Sequence, residues 1–175
     1  MTEAKEGRGH ADWMALYPVW GVALALQIAL LFLLPTGRVG WLVACGWAAF
    51  AVSAVLGWFP IFLFHRHGGV TKRRSYVHTT QLVTTGLYAI VRHPQFLAGH
   101  CLALAVMCIT QHWGTLVAGG IAIAANRLSM IKADRDLVAK FGEPYREYMA
   151  HVPRASLLVG TWRWVRRLRH RRQLR

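Results

Sequence analysis

Acidic residues are scarce in this chain. Its 175 residues carry 7 of them against 21 Lys and Arg, giving a formal charge of +14. They fall into two clusters: Glu3, Glu6 and Asp12 at one end, and Asp134, Asp136, Glu143 and Glu147 toward the other. No carboxylate lies between Asp12 and Asp134. Charge of either sign makes up 16% of the chain and hydrophobic residues 55%, a balance that excludes an ordinary soluble domain of this length. An ionised side chain in hydrocarbon costs several kcal/mol, so a bilayer accounts for the gap. Cysteine is equally sparse. Cys45, Cys101 and Cys108 each stand alone in an apolar run, which excludes a disulfide framework and marks them as small packing residues. His65, His67 and His78 have no Cys or carboxylate at zinc-ligand spacing, so they read as solvated loop histidines and no metal is expected.

What is present is apolar sequence in long runs. Residues 13–34 and 40–64 are uncharged and long enough to cross a bilayer, which takes about 20 residues of helix. A third run, 96–110, is interrupted only by His100. The fourth, 113–125, is short and is expected to continue as helix into Asn126 and Arg127 at the membrane edge. The first run lacks a small-x-small cleavage pattern before Pro35-Thr36-Gly37, so it is expected to be a span and not a cleaved signal peptide. The expected fold is all-α and integral to the membrane, with about four transmembrane helices and a cytosolic C-terminal helical cap.

Lys and Arg set the expected orientation. Loop 35–39 carries only Arg38, and the turn at Gln111-His112 carries none. Segment 65–93 carries Arg66, Lys72, Arg73, Arg74 and Arg92, and the chain after Ala125 is basic throughout. The N-terminus, the 65–93 loop and the C-terminus are therefore expected on the cytoplasmic side. The tail alternates Trp and Leu with Arg, as in Trp162-Arg163-Trp164-Val165-Arg166-Arg167-Leu168-Arg169. That pattern suits an interfacial helix on anionic lipid, and nucleic acid is not an expected partner.

Along the chain, residues 1–12 are polar and expected to be mobile. Gly99 and Ala103 share one helix face, as do Gly114, Ala118 and Ala122, so the third and fourth helices are expected to form a close hairpin. After Asn126 an amphipathic helix is expected, with Met130, Ile131, Leu137, Val138 and Phe141 as its apolar members. Gly142 ends or kinks it, Pro144 reinforces the break, and Tyr145 and Tyr148 then share a face.

The densest signal is Thr85-Gly86-Leu87-Tyr88-Ala89-Ile90-Val91-Arg92-His93-Pro94-Gln95-Phe96. Pro94 disfavours helical geometry at His93 and suits a first helical position, so a helix is expected to begin at Pro94. The amides of Gln95 and Phe96 then sit beside Arg92 and His93. This is either an anion site at a helix N-terminus or a membrane-entry turn with a snorkelling arginine.

The run Gly86-Leu87-Tyr88-Ala89-Ile90-Val91-Arg92-His93-Pro94-Gln95-Phe96 resembles the signature G-x-Y-x-x-x-R-H-P-x-Y-x-G of the isoprenylcysteine carboxyl methyltransferase superfamily, which includes phospholipid methyltransferases. A second stretch, Asp134-Arg135-Asp136-Leu137-Val138-Ala139-Lys140-Phe141-Gly142-Glu143-Pro144-Tyr145-Arg146-Glu147-Tyr148, is similar to that family's E-E-x-x-L-x-x-x-F-G-x-x-Y-x-x-Y block. Three positions depart from the pattern. Phe96 replaces Tyr, Ala98 replaces Gly, and Ala133-Asp134 replaces the paired glutamates, keeping one carboxylate.

The resemblance implies S-adenosyl-L-methionine as cofactor, methyl transfer as reaction and a lipidic or hydrophobic acceptor at the cytoplasmic face. It implies that Gly86, Tyr88, His93, Pro94, Gln95, Tyr145 and Tyr148 bind the cofactor, with Arg92 and Asp134 as the catalytic candidates. Arg92 would anchor an acceptor or the cofactor carboxylate, Asp134 would contact cofactor, and His93 or Asp134 would take a proton from a thiol or amine. The chain then divides into 1–12, two membrane helices over 13–64, a methyltransferase core over 65–154 and a basic tail over 155–175. The alternatives are a phospholipid amine N-methyltransferase and a non-catalytic membrane scaffold. A sterol reductase shares a similar Arg-His-Pro stretch but needs more spans.

Overall fold

The computed structural model describes residues 16–67 and 82–173, and the side chains of 18–60 and 82–169. Residues 1–12, the start of the first run at Trp13, the side chains of His65, Arg66 and His67, and the whole of Lys72, Arg73, Arg74 and His78 lie outside the described set. Among the described residues the chain is entirely helical. Its helices are α1 (Leu16–Leu33), α2 (Gly40–His67), α3 (Pro94–Thr110), α4 (Trp113–Phe141), α5 (Glu143–His151) and α6 (Leu157–Gln173). One 3-10 turn, Gly86–Ala89, precedes α3.

The helix boundaries follow local chemistry. Pro94 opens α3 where it lacks only an orphan amide. Gly142 closes α4 with φ of 63°, a left-handed value that costs a residue with a Cβ but not glycine. Pro144 then sits in the first turn of α5. The helix expected to run on past Asn126 and Arg127 does so: α4 is unbroken for 29 residues, so the apolar run and the amphipathic segment are one helix. No proline or glycine stands between Gly120 and Gly142 to stop it.

Among the described residues, two helices are long and apolar enough to cross a membrane, over Gly40–Pro60 and Trp113–Phe141. The stretches Pro18–Leu33 and Pro94–Thr110 are apolar but shorter, against the four spans expected. Only 17% of the apolar stretch in α2 is buried. Trp41, Trp47, Val55 and Trp58 stand exposed along it, as do Val22, Phe32 and Leu33 on α1. A core helix of a soluble protein hides such residues, and this much exposed apolar surface calls for a partner or a lipid phase.

The described residues form two compact units. The first holds the chain up to Val55 and Phe96–Asp136; the second holds Leu56–Gln95 and Leu137–Arg175. In the first unit, α3 and α4 bury Ala103, Ala105, Ala118 and Ala122, the small residues that let backbones approach. Gln27 of α1 reaches between them. Its Nε2 donates to the carbonyls of Ala103 at 3.2 Å and Thr115 at 3.1 Å. Gly119 makes room for it, since a Cβ there would strike that amide and the Met107 side chain. Ser53 Oγ donates to Ala98 O at 2.8 Å, and Asn126 Nδ2 to Phe96 O at 2.7 Å. Side-chain polar groups thus bond backbone carbonyls across helices, as an apolar surround demands.

Candidate functional site

The second unit is built around the 3-10 turn. Gly86 enters it at φ 61°, and the Tyr88 and Ile90 amides close back onto Thr85 O at 3.1 Å and Leu87 O at 3.0 Å. Beyond the fully buried Val91, two consecutive amides are spent on the link after α5. Arg92 N donates to Pro153 O and His93 N to Arg154 O, each at 3.1 Å. Pro94 has no amide to continue the pairing and starts α3 instead.

Three successive carbonyls of the turn are held by the C-terminal helices. Tyr148 Oη of α5 donates to Tyr88 O at 2.6 Å. An Arg167 terminal nitrogen of α6 donates to Ala89 O at 2.8 Å. The third carbonyl, of Ile90, lies directly against Gly160 of α6, and a Cβ at position 160 would overlap it. The two stretches singled out in the sequence are therefore joined by a hydrogen bond across 60 positions. The tail is not a separate appendage, because α6 packs on the first motif.

Tyr145 and Tyr148 do share a face, with ring centroids 5.7 Å apart and planes at 57°. Both are buried, in a cluster with Val152 that Leu82, Leu137, Val138, Phe141 and Met149 cover. Tyr88 is buried with Val83. Burial pushes the Tyr88 phenol well above its ordinary value, and the neighbouring Tyr148 raises it further, so it stays a neutral donor at any physiological pH.

Of the nine residues expected from the sequence, all but Asp134 fall in the second unit; Asp134 is buried on α4 in the first. Arg92, His93 and Pro94 are buried and Gln95 is exposed. Tyr148 alone among the nine lines a cavity of about 1150 Å³ between α5 and α6. Tyr145 is fully buried beside it and holds the Tyr148 ring in place. The other cavity walls are Thr84, Pro144, Glu147, Ala150 and His151 on one side and Trp162, Arg163, Arg166, Arg167 and Arg169 on the other. Sequence reasoning missed the α6 wall. The one signal for it was Gly160, the glycine inside a tail rich in Arg, Trp and Leu.

This chain is 34% identical over 146 residues to methanethiol S-methyltransferase 2 of Bradyrhizobium diazoefficiens. It is similar to a methyltransferase. The match takes in 78% of this chain and 48% of that protein, so the chain spans about half the length of the relative. No family model matches the chain, and no solved structure matches it.

Tyr148 brings an aromatic ring to the cavity, the group that suits a sulfonium, while Arg92, the candidate for a carboxylate, is buried and is not among the residues that line that cavity.

Proposed function

We propose that this chain is an S-adenosyl-L-methionine-dependent methyltransferase of the isoprenylcysteine carboxyl methyltransferase type, embedded in a membrane by four helices with both termini cytoplasmic. The observation that carries the reading is the similarity to a methanethiol S-methyltransferase, taken with the hydrogen bond that unites the two motif stretches at Tyr88 and Tyr148. The exposed apolar faces of α1 and α2 support the membrane placement. The excess of Lys and Arg on alternate connections supports the orientation.

The acceptor is a small hydrophobic thiol or a lipidic group reached from the bilayer, and the relative's name favours the thiol. When bound, the cofactor supplies an electrophilic methyl group, whose bond to the sulfonium breaks as the acceptor sulfur forms its own bond to carbon. The chain's task is mainly to orient, which can be worth roughly 7–11 kcal/mol. Tyr148 would hold the sulfonium, with Tyr145 packed against its ring. Arg92, fixed through its own amide to Pro153 O, would hold the carboxylate. His93 would accept the thiol proton, its burial keeping water from competing for it; Asp134, the other candidate base, belongs to the first unit.

Detergent-purified protein supplied with methyl-labelled cofactor should pass label to methanethiol. A panel holding a prenylated thiol and phosphatidylethanolamine ranks the acceptors. Label in phosphatidylethanolamine alone would replace this reading with the lipid amine N-methyltransferase. Label in no acceptor, from folded protein that binds cofactor, would leave the thiol and lipid assignments without support.

A further inference from the structure

We propose that the cavity between α5 and α6 is a binding site for the phosphate headgroup of an anionic membrane phospholipid, distinct from the cofactor. Four guanidinium groups line it, Arg163, Arg166, Arg167 and Arg169, against one carboxylate, Glu147. An imbalance of that size inside one concavity calls for an anion. The fork of arginine matches phosphate oxygens two at a time. The groups are partly organised in advance. Arg167 is tied to Ala89 O, and the Arg166 guanidinium lies 5.6 Å from the centroid of the Trp162 ring.

The choice of a lipid over a soluble phosphate comes from the apolar rim of the same cavity. Trp162, one of its walls, is 60% exposed, and Leu158, one turn earlier on α6, is 86% exposed. At helical spacing both fall on the side away from Gly160, which is packed on Ile90. Exposed apolar side chains interleaved with the cavity's arginines suit a helix lying in the headgroup layer, with acyl chains along Leu158 and Trp162. A soluble phosphate leaves that apolar face bare. The site needs neither methyl transfer nor cofactor. Tyr148, however, is common to the cavity and to the proposed cofactor wall, so occupancy by cofactor is tested separately.

Full-length protein in a neutral detergent is titrated with dihexanoyl phosphatidylglycerol, dihexanoyl phosphatidylcholine and inorganic phosphate, following Trp fluorescence and thermal melting. The phosphatidylglycerol should give saturable binding and a raised Tm, weakening as salt is added, while the phosphatidylcholine gives neither. Arg163→Gln with Arg166→Gln should weaken phosphatidylglycerol binding roughly tenfold or more, the loss of charge-assisted hydrogen bonds. Leu158→Gln should weaken phosphatidylglycerol but leave inorganic phosphate unchanged. Equal responses to the two lipids would overturn the proposal. So would inorganic phosphate binding as tightly as the lipid, which assigns the cavity to a soluble anion, or displacement of the lipid by S-adenosylmethionine, which assigns it to the cofactor. The salt series on the unaltered protein decides the matter even where the double variant fails to fold.

Discussion

At the scale of single residues, the second unit rests on how three carbonyls are used. Tyr148→Phe keeps the ring and removes the donor to Tyr88 O. Leaving that buried acceptor without its hydroxyl should cost about 1–3 kcal/mol, read as a lower Tm in detergent. A cost near zero would mean that water replaces the hydroxyl. Gly160 is a second such point. Gly160→Val puts branched carbon where the Ile90 carbonyl sits, and backbone yields less than side chain. We expect a loss of about 1–3 kcal/mol, while Gly120→Ala, where nothing lies within 4 Å, should leave Tm unchanged. Tyr88 supplies a pH signature. The folded chain holds its phenol protonated further up the scale than the unfolded chain does. That contribution is complete below the unperturbed tyrosine value of about 10 and fades as pH rises beyond it. Melting temperatures at about pH 8 and about pH 11 should therefore fall further for the unaltered protein than for Tyr88→Phe.

At the scale of helices, boundaries were the most legible feature of the sequence. Pro94 and Gly142 each act within one turn of chain, so the start of α3 and the end of α4 could be read directly. The length of α4 was legible in two pieces, an apolar run continuing into Asn126 and Arg127 and an amphipathic stretch ended by Gly142, and the structure joins them into one helix to Phe141. Gln27 was not visible at all. One glutamine in an apolar run says nothing of its partners until Ala103 and Thr115, on two other helices, are brought to it. Gln27→Leu should cost about 0.6–2 kcal/mol in detergent, the range of interhelical side-chain bonds in membranes. The loss is limited because Gln27 Oε1 has no hydrogen-bond partner among the described residues and gains nothing by staying. The α6 wall of the cavity was likewise hidden. Its arginines read as a solvated or lipid-facing tail until packing of Gly160 on Ile90 turned Arg163 and Arg167 inward.

At the scale of the whole molecule, the described residues comprise an apolar helical unit and a basic unit with an aromatic- and arginine-lined cavity. Both families of candidate residue, those of 86–95 and those of 145–148, meet in that second unit because α5 returns to the turn before α3. Motif order alone announced the pairing, whereas the bond that makes it required the fold. The central claim is that this unit binds S-adenosylmethionine, and calorimetry on detergent-purified protein tests it most directly. The account predicts saturable binding in the micromolar range that Arg92→Ala abolishes, with Gly120→Ala, where nothing lies within 4 Å, as a control that keeps binding. No heat of binding from protein that melts cooperatively would contradict it, and the chain would then stand as a membrane scaffold that keeps the motifs for packing.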